Sequence, residues 1–389
     1  LLTITQVFGS PWIRCEKKIF LKRYGCRDRL HGKLALIDSF WKNKSVLITG
    51  HTGFKGGWLA LWLDSLGAHV HGYALAPSTT PSFFVAANVE SLLASHTVAD
   101  IRDAGMLQTT IKSVQPDIVF HLAAQPLVRQ SYIDPVETYT TNVMGTVNLF
   151  EAVRKMSTVK ALINVTTDKC YENNGSLKPF VEGDSMGGYD PYASSKGCSE
   201  LITNSYRQSF LADKGVAIAS ARAGNVIGGG DWSVDRLIPD FLKAVDSGQE
   251  LVIRSPSAIR PWQHVLEPLK GYLQLGEKLL KEGQPFAEAW NFGPSVKDAK
   301  TVEFIVKKLN QAFPQAKWSM DGSPQPHEAH YLTLDSTKAN NKLKWQPRWT
   351  LDNTVDGIIA WHKAWRNGDN MQHFSLTQIN DHEKLVSPS

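Results

Sequence analysis

The sequence predicts an α/β protein, a doubly wound parallel sheet followed by a smaller C-terminal α/β domain. Three observations predict it. Short β-branched runs alternate with helical patterns, a glycine-rich turn joins the first such run to the first helix, and the alternation loosens after about residue 225. Alternation of this kind reads as parallel strands covered by crossover helices.

The elements follow in order. VLITG (46–50) is a β-branched run ending in glycine, and FKGGWLALWLDSLG (54–67) is an amphipathic helical stretch closed by Gly67. HVHGYAL (69–75), DIVFHLAA (117–124), ALINVTT (161–167) and AIASAR (217–222) read as further buried strands. Helical patterns cover 104–115, 141–156 and 191–211. Beyond 225, GGGDWS (228–233), RSPSAIRP (254–261) and DGSPQPHEAH (321–330) are loop-rich stretches among helices. The expected division is a basic extension over 1–38, a dinucleotide-binding domain over 39–225 and a mainly substrate-binding domain over 226–389, with some return segments to the sheet.

Charge placement narrows the function classes. The chain has 389 residues, 42 basic and 37 acidic, for a net charge of +5. Residues 1–38 hold eight of the basic groups and three of the acidic ones, leaving 34 of each in the remaining 351. The neutral body argues against a nucleic-acid binder, which carries its basic face on the folded domain. At 42% hydrophobic and 20% charged, the composition is that of a soluble globular protein. No run of about 18 apolar residues predicts a membrane span. Four scattered cysteines (Cys15, Cys26, Cys170, Cys198) suit neither a disulfide framework nor a zinc site and point to a reducing cytoplasm. Residues 1–38 match a secretory signal poorly, because an apolar start precedes the charges. They are read as an extension, non-native or disordered, whose removal should leave the body intact.

TGHTGFKG (49–56) places Gly50, Gly53 and Gly56 at a strand-to-helix turn. Gly50 suits the tight turn, Gly53 lets backbone approach a pyrophosphate, and Gly56 permits close helix–sheet packing. The helix N-terminus offers free N–H groups and a positive dipole end to phosphates. A dinucleotide cofactor on a Rossmann-type sheet is the reading. His51, Phe54 and Lys55 lie in the same loop. His51 and Lys55 either touch a phosphate or face solvent, and their bulk could crowd the cofactor. The end of the second strand, Tyr73-Ala74-Leu75-Ala76-Pro77, offers no acid for a ribose hydroxyl and no base for a 2′-phosphate, so it does not choose NAD over NADP.

Tyr192-x-x-x-Lys196 puts two side chains on one helical face. A phenol ordinarily titrates near about 10, too high for a base at neutral pH. A neighbouring ammonium and an oxidised nicotinamide both favour the phenolate, which then accepts a proton from a hydroxyl as hydride leaves the carbon.

Taken with the T-G-x-x-G-x-x-G spacing, these motifs resemble the extended short-chain dehydrogenase/reductase superfamily. The resemblance implies NAD as cofactor and a Ser/Thr, here Thr167, that hydrogen-bonds the reacting oxygen. It implies that Asp100 and Ile101 line the adenine, that Leu122, Ala123 and Ala124 line the cofactor turn, and that Asn142 opens a further cofactor-side element, N-x-x-G-T. Asn142 also reads as part of a helix N-cap near Thr141. After Thr167 come Asp168 and Lys169, where nucleotide-sugar 4,6-dehydratases carry an acid and a base, usually Asp-Glu. With HLAAQPLVRQSY (121–132), NVIGGGDW (225–232) and RPWQHV (260–265), the likeness covers roughly 39–370 and implies a nucleotide-sugar substrate, CDP-glucose. Asp168 would donate to the departing C6 hydroxyl and a neutral Lys169 would take the C5 proton. That needs the Lys169 pKa to fall from its free value of about 10.4.

Two phosphate charges on such a substrate call for arginines. Gln125, Arg129, Asn225, Arg236, Arg260 and Tyr331 are the substrate candidates, with Asn225 and Arg260 matching the family's phosphate contacts. For Arg222, Arg236 and Arg254, surface salt bridging competes. His327-Glu328-x-His330 lacks the spacing that seats two histidines on one helical turn, so no metal is expected. Trp262, Trp290 and Trp345 suit core packing better than base stacking. A homodimer or homotetramer is carried by the resemblance, through helices near 104–115 or 141–156 and 191–211. Three alternatives stand beside this reading: a dehydratase for another nucleotide, a 4-epimerase, and a cofactor-binding regulator without chemistry. The Asp168-Lys169 pair argues against the epimerase, and intact Thr167, Tyr192 and Lys196 argue against the regulator.

Overall fold

The computed structural model describes residues 40–321 and 331–385. The basic extension over 1–38, His327 and His330 lie outside the described residues.

Seven parallel strands form the central sheet: Ser45–Thr49 (β1), His69–Ala74 (β2), Ser95–Val98 (β3), Ile118–His121 (β4), Ala161–Val165 (β5), Ala217–Arg222 (β6) and Ala289–Asn291 (β7). Their order is β7-β6-β5-β4-β1-β2-β3. The chain winds outward in both directions from β1, so the crevice between β1 and β4 opens at the carboxyl ends of the strands. Such a switch point is where doubly wound sheets bind ligands. β1, β4 and β5 carry buried residues throughout all or nearly all of their length, as strands covered on both faces must.

The helix Phe54–Ser65 (α1) departs from the amphipathic expectation. Gly56 through Leu63 are all buried. Its outer side is covered by a C-terminal helix, and the Trp62 ring meets the His382 ring edge-on at 5.7 Å. A helix enclosed on all sides is apolar all round. Helices Ala104–Val114 (α2) and Gly145–Arg154 (α3) pack Leu107, Ile111, Leu149, Phe150 and Val153 onto Leu47, Val119, Leu162 and Ile218 of the sheet. Helix Pro191–Tyr206 (α4) begins behind Asp190, whose carboxylate caps the Ala193 N–H at 2.8 Å. π-helical turns, Thr140–Met144 and Arg207–Leu211, interrupt the expected helices over 141–156 and 191–211.

Beyond β6, helix Leu237–Ser247 (α5) shares a second core with Val302–Ala312 (α7) and Leu351–Arg366 (α8), built on Ile238, Phe241, Leu309, Val355 and Ile358. Between α5 and α7, helix Leu266–Glu282 (α6) crosses back to the sheet. A Cβ at Gly276 would lie 3.0 Å from Ile118 and 3.2 Å from Phe120, so glycine eases the close seating of α6 on the sheet. Helix Met371–Lys384 (α9) closes the chain over α1. β7 also comes from beyond residue 225 and pairs with β6 from Ser220 to Arg222. No helix among the described residues is long and apolar enough to cross a membrane.

Candidate active site

A cleft of about 840 Å³ runs along the carboxyl ends of β1, β2, β4, β5 and β6 to the second core. The β1–α1 turn forms one end. Gly50 has φ +79°, and a Cβ there would lie 2.7 Å from the Ala123 N. A Cβ at Gly56 would fall 2.2 Å from the Gly50 carbonyl oxygen, so both positions need glycine. Gly53 caps α1 without a side-chain bond, leaving first-turn N–H groups facing the cleft. Phe54 and Lys55 line the same stretch, as do Ile101, Leu122, Ala123 and Ala124. Asp100 lines it too, and the Arg102 guanidinium, at 2.6 Å, holds its carboxyl below the ordinary range.

His51 faces neither a phosphate nor solvent. Its ring is buried against β2 and β3, with Nε2 2.7 Å from the His96 Nδ1. A Cβ at Gly72 would lie 2.4 Å from that Nε2, so Gly72 makes the room it occupies. Burial pushes the His51 imidazole down to about 3, with His96 adding to the shift. Asn142 also lies behind the cleft wall. It accepts from the Gln125 N–H at 2.8 Å and donates to the Gln125 carbonyl at 3.0 Å and the Ser195 Oγ at 2.9 Å. It thus ties the Gln125 loop to α4 rather than capping a helix.

The reaction end gathers Thr167, Asp168, Lys169, Tyr192 and Lys196. β5 ends at Val165, and Asp168–Cys170 turn once in a 3₁₀ helix capped by the Thr167 hydroxyl, which accepts from the Lys169 N–H at 3.4 Å. The Thr167 Oγ1 donates to Asp168 Oδ1 at 3.1 Å. Asp168 is 2% exposed and its Oδ2 has no hydrogen-bond partner. Burial raises its affinity for a proton, partly opposed by Lys169. Lys196 is buried, with Nζ 3.3 Å from the Val165 carbonyl, and burial brings its pKa down to about 8. Lys55, 3.5 Å from the Tyr272 hydroxyl, is brought down to about 7 by burial, then by Arg236 and Lys196.

Tyr192 hydrogen-bonds Thr167 in the cleft. Burial pushes its phenol up to about 12, partly offset by a hydrogen bond with Thr167 and by Arg236. Lys196 donates to a backbone carbonyl of β5, and Arg236, distant in the chain, is a cation that bears on the phenol.

Of the substrate candidates, Gln125, Arg129, Asn225, Arg236 and Arg260 line the cleft. Tyr331 is not among its lining residues; its carbonyl accepts from Asn173 Nδ2 at 3.0 Å and its hydroxyl from Thr333 Oγ1 at 3.3 Å. Arg254 lines the cleft while paired with Asp235, whose Oδ1 accepts from Arg254 at 3.1 Å and from Arg129 at 3.3 Å. Arg222 is neither a phosphate contact nor a surface pair; it is buried against Glu200. Trp290 and Trp345 are core residues, whereas Trp262 is buried and still lines the cleft. Residues that sequence reasoning missed are Gly224, which seats Asp168, and Asp235. Neither belongs to a local pattern.

This sheet and cleft define an oxidoreductase-type dinucleotide fold of the extended short-chain dehydrogenase/reductase class. A family model described as GDP-mannose 4,6 dehydratase matches residues 47–358. A CDP-glucose 4,6-dehydratase of Salmonella typhimurium is 53% identical over 354 residues, covering 89% of this chain and 98% of that one. A dTDP-glucose 4,6-dehydratase of Xanthomonas campestris is 25% identical, covering 83% and 95%. Two solved structures show the fold. A dTDP-glucose 4,6-dehydratase of Streptomyces venezuelae with NAD and TYD bound has a TM-score of 0.69 at 22% identity, covering 84% and 99%. A UDP-glucose 4-epimerase of Thermotoga maritima has a TM-score of 0.72 at 23% identity, covering 82% and 99%. The chain belongs to the nucleotide-sugar 4,6-dehydratase family, NAD-dependent hydro-lyases of that superfamily.

Proposed function

We propose that the protein converts CDP-D-glucose to CDP-4-keto-6-deoxy-D-glucose. The observation that carries this reading is the Asp168–Lys169 pair at the end of β5, sharing one cleft with Thr167, Tyr192 and Lys196. The 53% identity to a CDP-glucose 4,6-dehydratase supports the base and the sugar.

The residues fit NAD. Gly50 and Gly56 leave no space for a Cβ, Gly53 keeps the α1 N-terminus bare, and Asp100, Ile101 and Leu122–Ala124 line the same side. Bound there, NAD would supply reversible hydride acceptance, from C4 and back to C6. Thr167 hydrogen-bonds the C4 oxygen, and Tyr192, pushed up to about 12 by burial, would take its proton once the positive charge of an oxidised nicotinamide beside it favours the phenolate. Lys196, one helical turn on, lines the same cleft and would bond the nicotinamide ribose. The ketone at C4 acidifies the C5 hydrogen, which Lys169 removes. Asp168, whose affinity for a proton burial raises, gives its proton to the C6 hydroxyl, which leaves as water. The C5 proton is replaced as hydride reaches C6. Asn225, Arg236 and Arg260 hold the diphosphate.

The same reading places the enzyme in a reducing cytoplasm, in line with free Cys170 and Cys198, and its product in deoxysugar synthesis for surface polysaccharide. It includes a homodimer or homotetramer. Exposed Met144, Leu201 and Phe210, on the helical segments through which related enzymes pair, support that, and sedimentation equilibrium tests it.

Incubation with CDP-, dTDP-, GDP- and UDP-glucose tests the function. A 4-keto-6-deoxy product, formed fastest from the cytidine substrate, is expected. A C4 epimer without loss of water would make the protein an epimerase, and no product from any of the four would make it a regulator.

A further inference from the structure

Behind the cleft lies a buried ion pair that the reaction scheme does not use. Glu200 stands four residues after Lys196 and eight after Tyr192 on α4, on the same helical face. Arg222 is the last residue of β6. Both are about 5% exposed or less. The pair is bidentate, Arg222 Nε to Glu200 Oε1 at 2.9 Å and Nη2 to Oε2 at 2.8 Å.

The remaining bonds of the pair reach the catalytic turn from both sides. Glu200 Oε1 accepts from the Thr166 hydroxyl and Oε2 from the Ser220 hydroxyl at 2.6 Å. Arg222 Nη1 donates to the Tyr171 hydroxyl at 2.7 Å and the Glu182 carbonyl at 3.1 Å. The guanidinium also lies 4.9 Å from the Tyr171 ring centroid. Tyr171 in turn donates to Asn291 Oδ1 on β7 at 2.7 Å. Thr166 immediately precedes Thr167, and Tyr171 immediately follows Cys170. The pair therefore grips the residue on either side of the segment that carries Thr167, Asp168 and Lys169.

We propose that Glu200 and Arg222 are positioning residues: they clamp both ends of the Thr167–Cys170 turn, and Glu200 steadies the Lys196 ammonium. The proposal rests on the dehydratase reading for the roles of the clamped residues. A buried pair loses so much hydration that an apolar pair of equal volume is often as stable, so stability alone is a weak account of its presence. What apolar side chains would not supply is a directional bond at each end of one short turn. The charged and titratable groups facing Lys196 are Glu200 and Cys170, with Lys55 and His121. Glu200 is the strongest of those that favour its charged form.

Three variants test the clamp. Thr166→Val and Tyr171→Phe each cut one arm and leave the ion pair whole. Each is expected to lower kcat by about tenfold or more with KM changed less than about twofold, because small misplacements of reacting groups are costly while substrate contacts persist. Circular dichroism and Tm report folding. Glu200→Gln keeps an acceptor but removes the charge, and is expected to move the alkaline limb of the kcat–pH profile to lower pH, a shift the two single-arm variants lack. A kcat within about twofold of wild type in either single-arm variant overturns the clamp. A limb that stays in place overturns the part given to Glu200 at Lys196. Wild-type product identity separates this from the dehydratase reading. Should the product be a C4 epimer, the kcat ratios still decide the clamp, since Thr167 and Tyr192 serve that chemistry as well.

Discussion

Gly224 lies directly beneath the Asp168 carboxyl: a Cβ at position 224 would stand 1.6 Å from Asp168 Oδ2 and 2.1 Å from its Cγ. The Asp168 carboxyl is thus seated on bare backbone just past the end of the neighbouring strand, β6. Its orphaned Oδ2 keeps its orientation only while residue 224 has no side chain.

Gly224→Ala is expected to drive the Asp168 carboxyl out of its seat. Formation of the 4-keto-6-deoxy product should fall by about 10²-fold or more, with smaller effects on nucleotide binding. Product assays beside calorimetric titration with CDP check this.

Lys169→Met is expected to leave oxidation at C4 in place and to stop loss of water. The dehydrated product should drop by about 10²–10⁴-fold, the usual weight of a general base. Exchange of the C5 hydrogen in deuterium oxide should vanish with it. Elimination at near wild-type rate would remove Lys169 from the mechanism.

Asp168→Asn separates function from stability. Burial raises the Asp168 pKa above its unfolded value, so between the two the folded state binds more proton than the unfolded state. This group's contribution to stability is therefore fully present below the unfolded value and falls as pH rises through the folded one. The variant lacks that fall. Its Tm relative to wild type should climb as pH goes from below about 4 to neutral, while dehydration drops by about 10²–10⁴-fold. A Tm difference that is flat across this range would contradict the assignment.

Asp235 occupies Arg129 and Arg254 with a single oxygen at the cleft. Its negative charge at the cleft also opposes the approach of a diphosphate to Arg236 and Arg260. Asp235→Asn is expected to lower KM for the nucleotide-sugar a few-fold at low ionic strength. The gain should fade at about 1 M salt, where exposed charges are screened. Initial-rate measurements over a salt series read both effects.

What was legible in the sequence was local. The β1–α1 turn, the strand runs and the i, i+4 spacing of Tyr192 and Lys196 each depend on a few consecutive residues, and each stands where its pattern put it. Contacts across the chain were not legible. Nothing near His51 announces that Gly72 makes room for its ring, and nothing near Asp168 announces Gly224. Arg222 carries the same charge whether it meets a phosphate or Glu200, and only packing distinguishes the two. β7 has three residues, Ala289, Trp290 and Asn291, too few for an alternating pattern to show.

That short strand also bears on how the chain is made. β6 ends at residue 222, yet its outer neighbour is not synthesised until residue 291. A nascent or truncated chain stopping between those points carries Ser220–Arg222 as an open edge, ready to template strand addition by another molecule. The Tyr171 hydroxyl, which accepts from Arg222, would meanwhile lack its acceptor on Asn291. The N-terminal half expressed by itself is therefore an aggregation hazard, and completion of the sheet during biosynthesis must follow the order in which the ribosome delivers its parts.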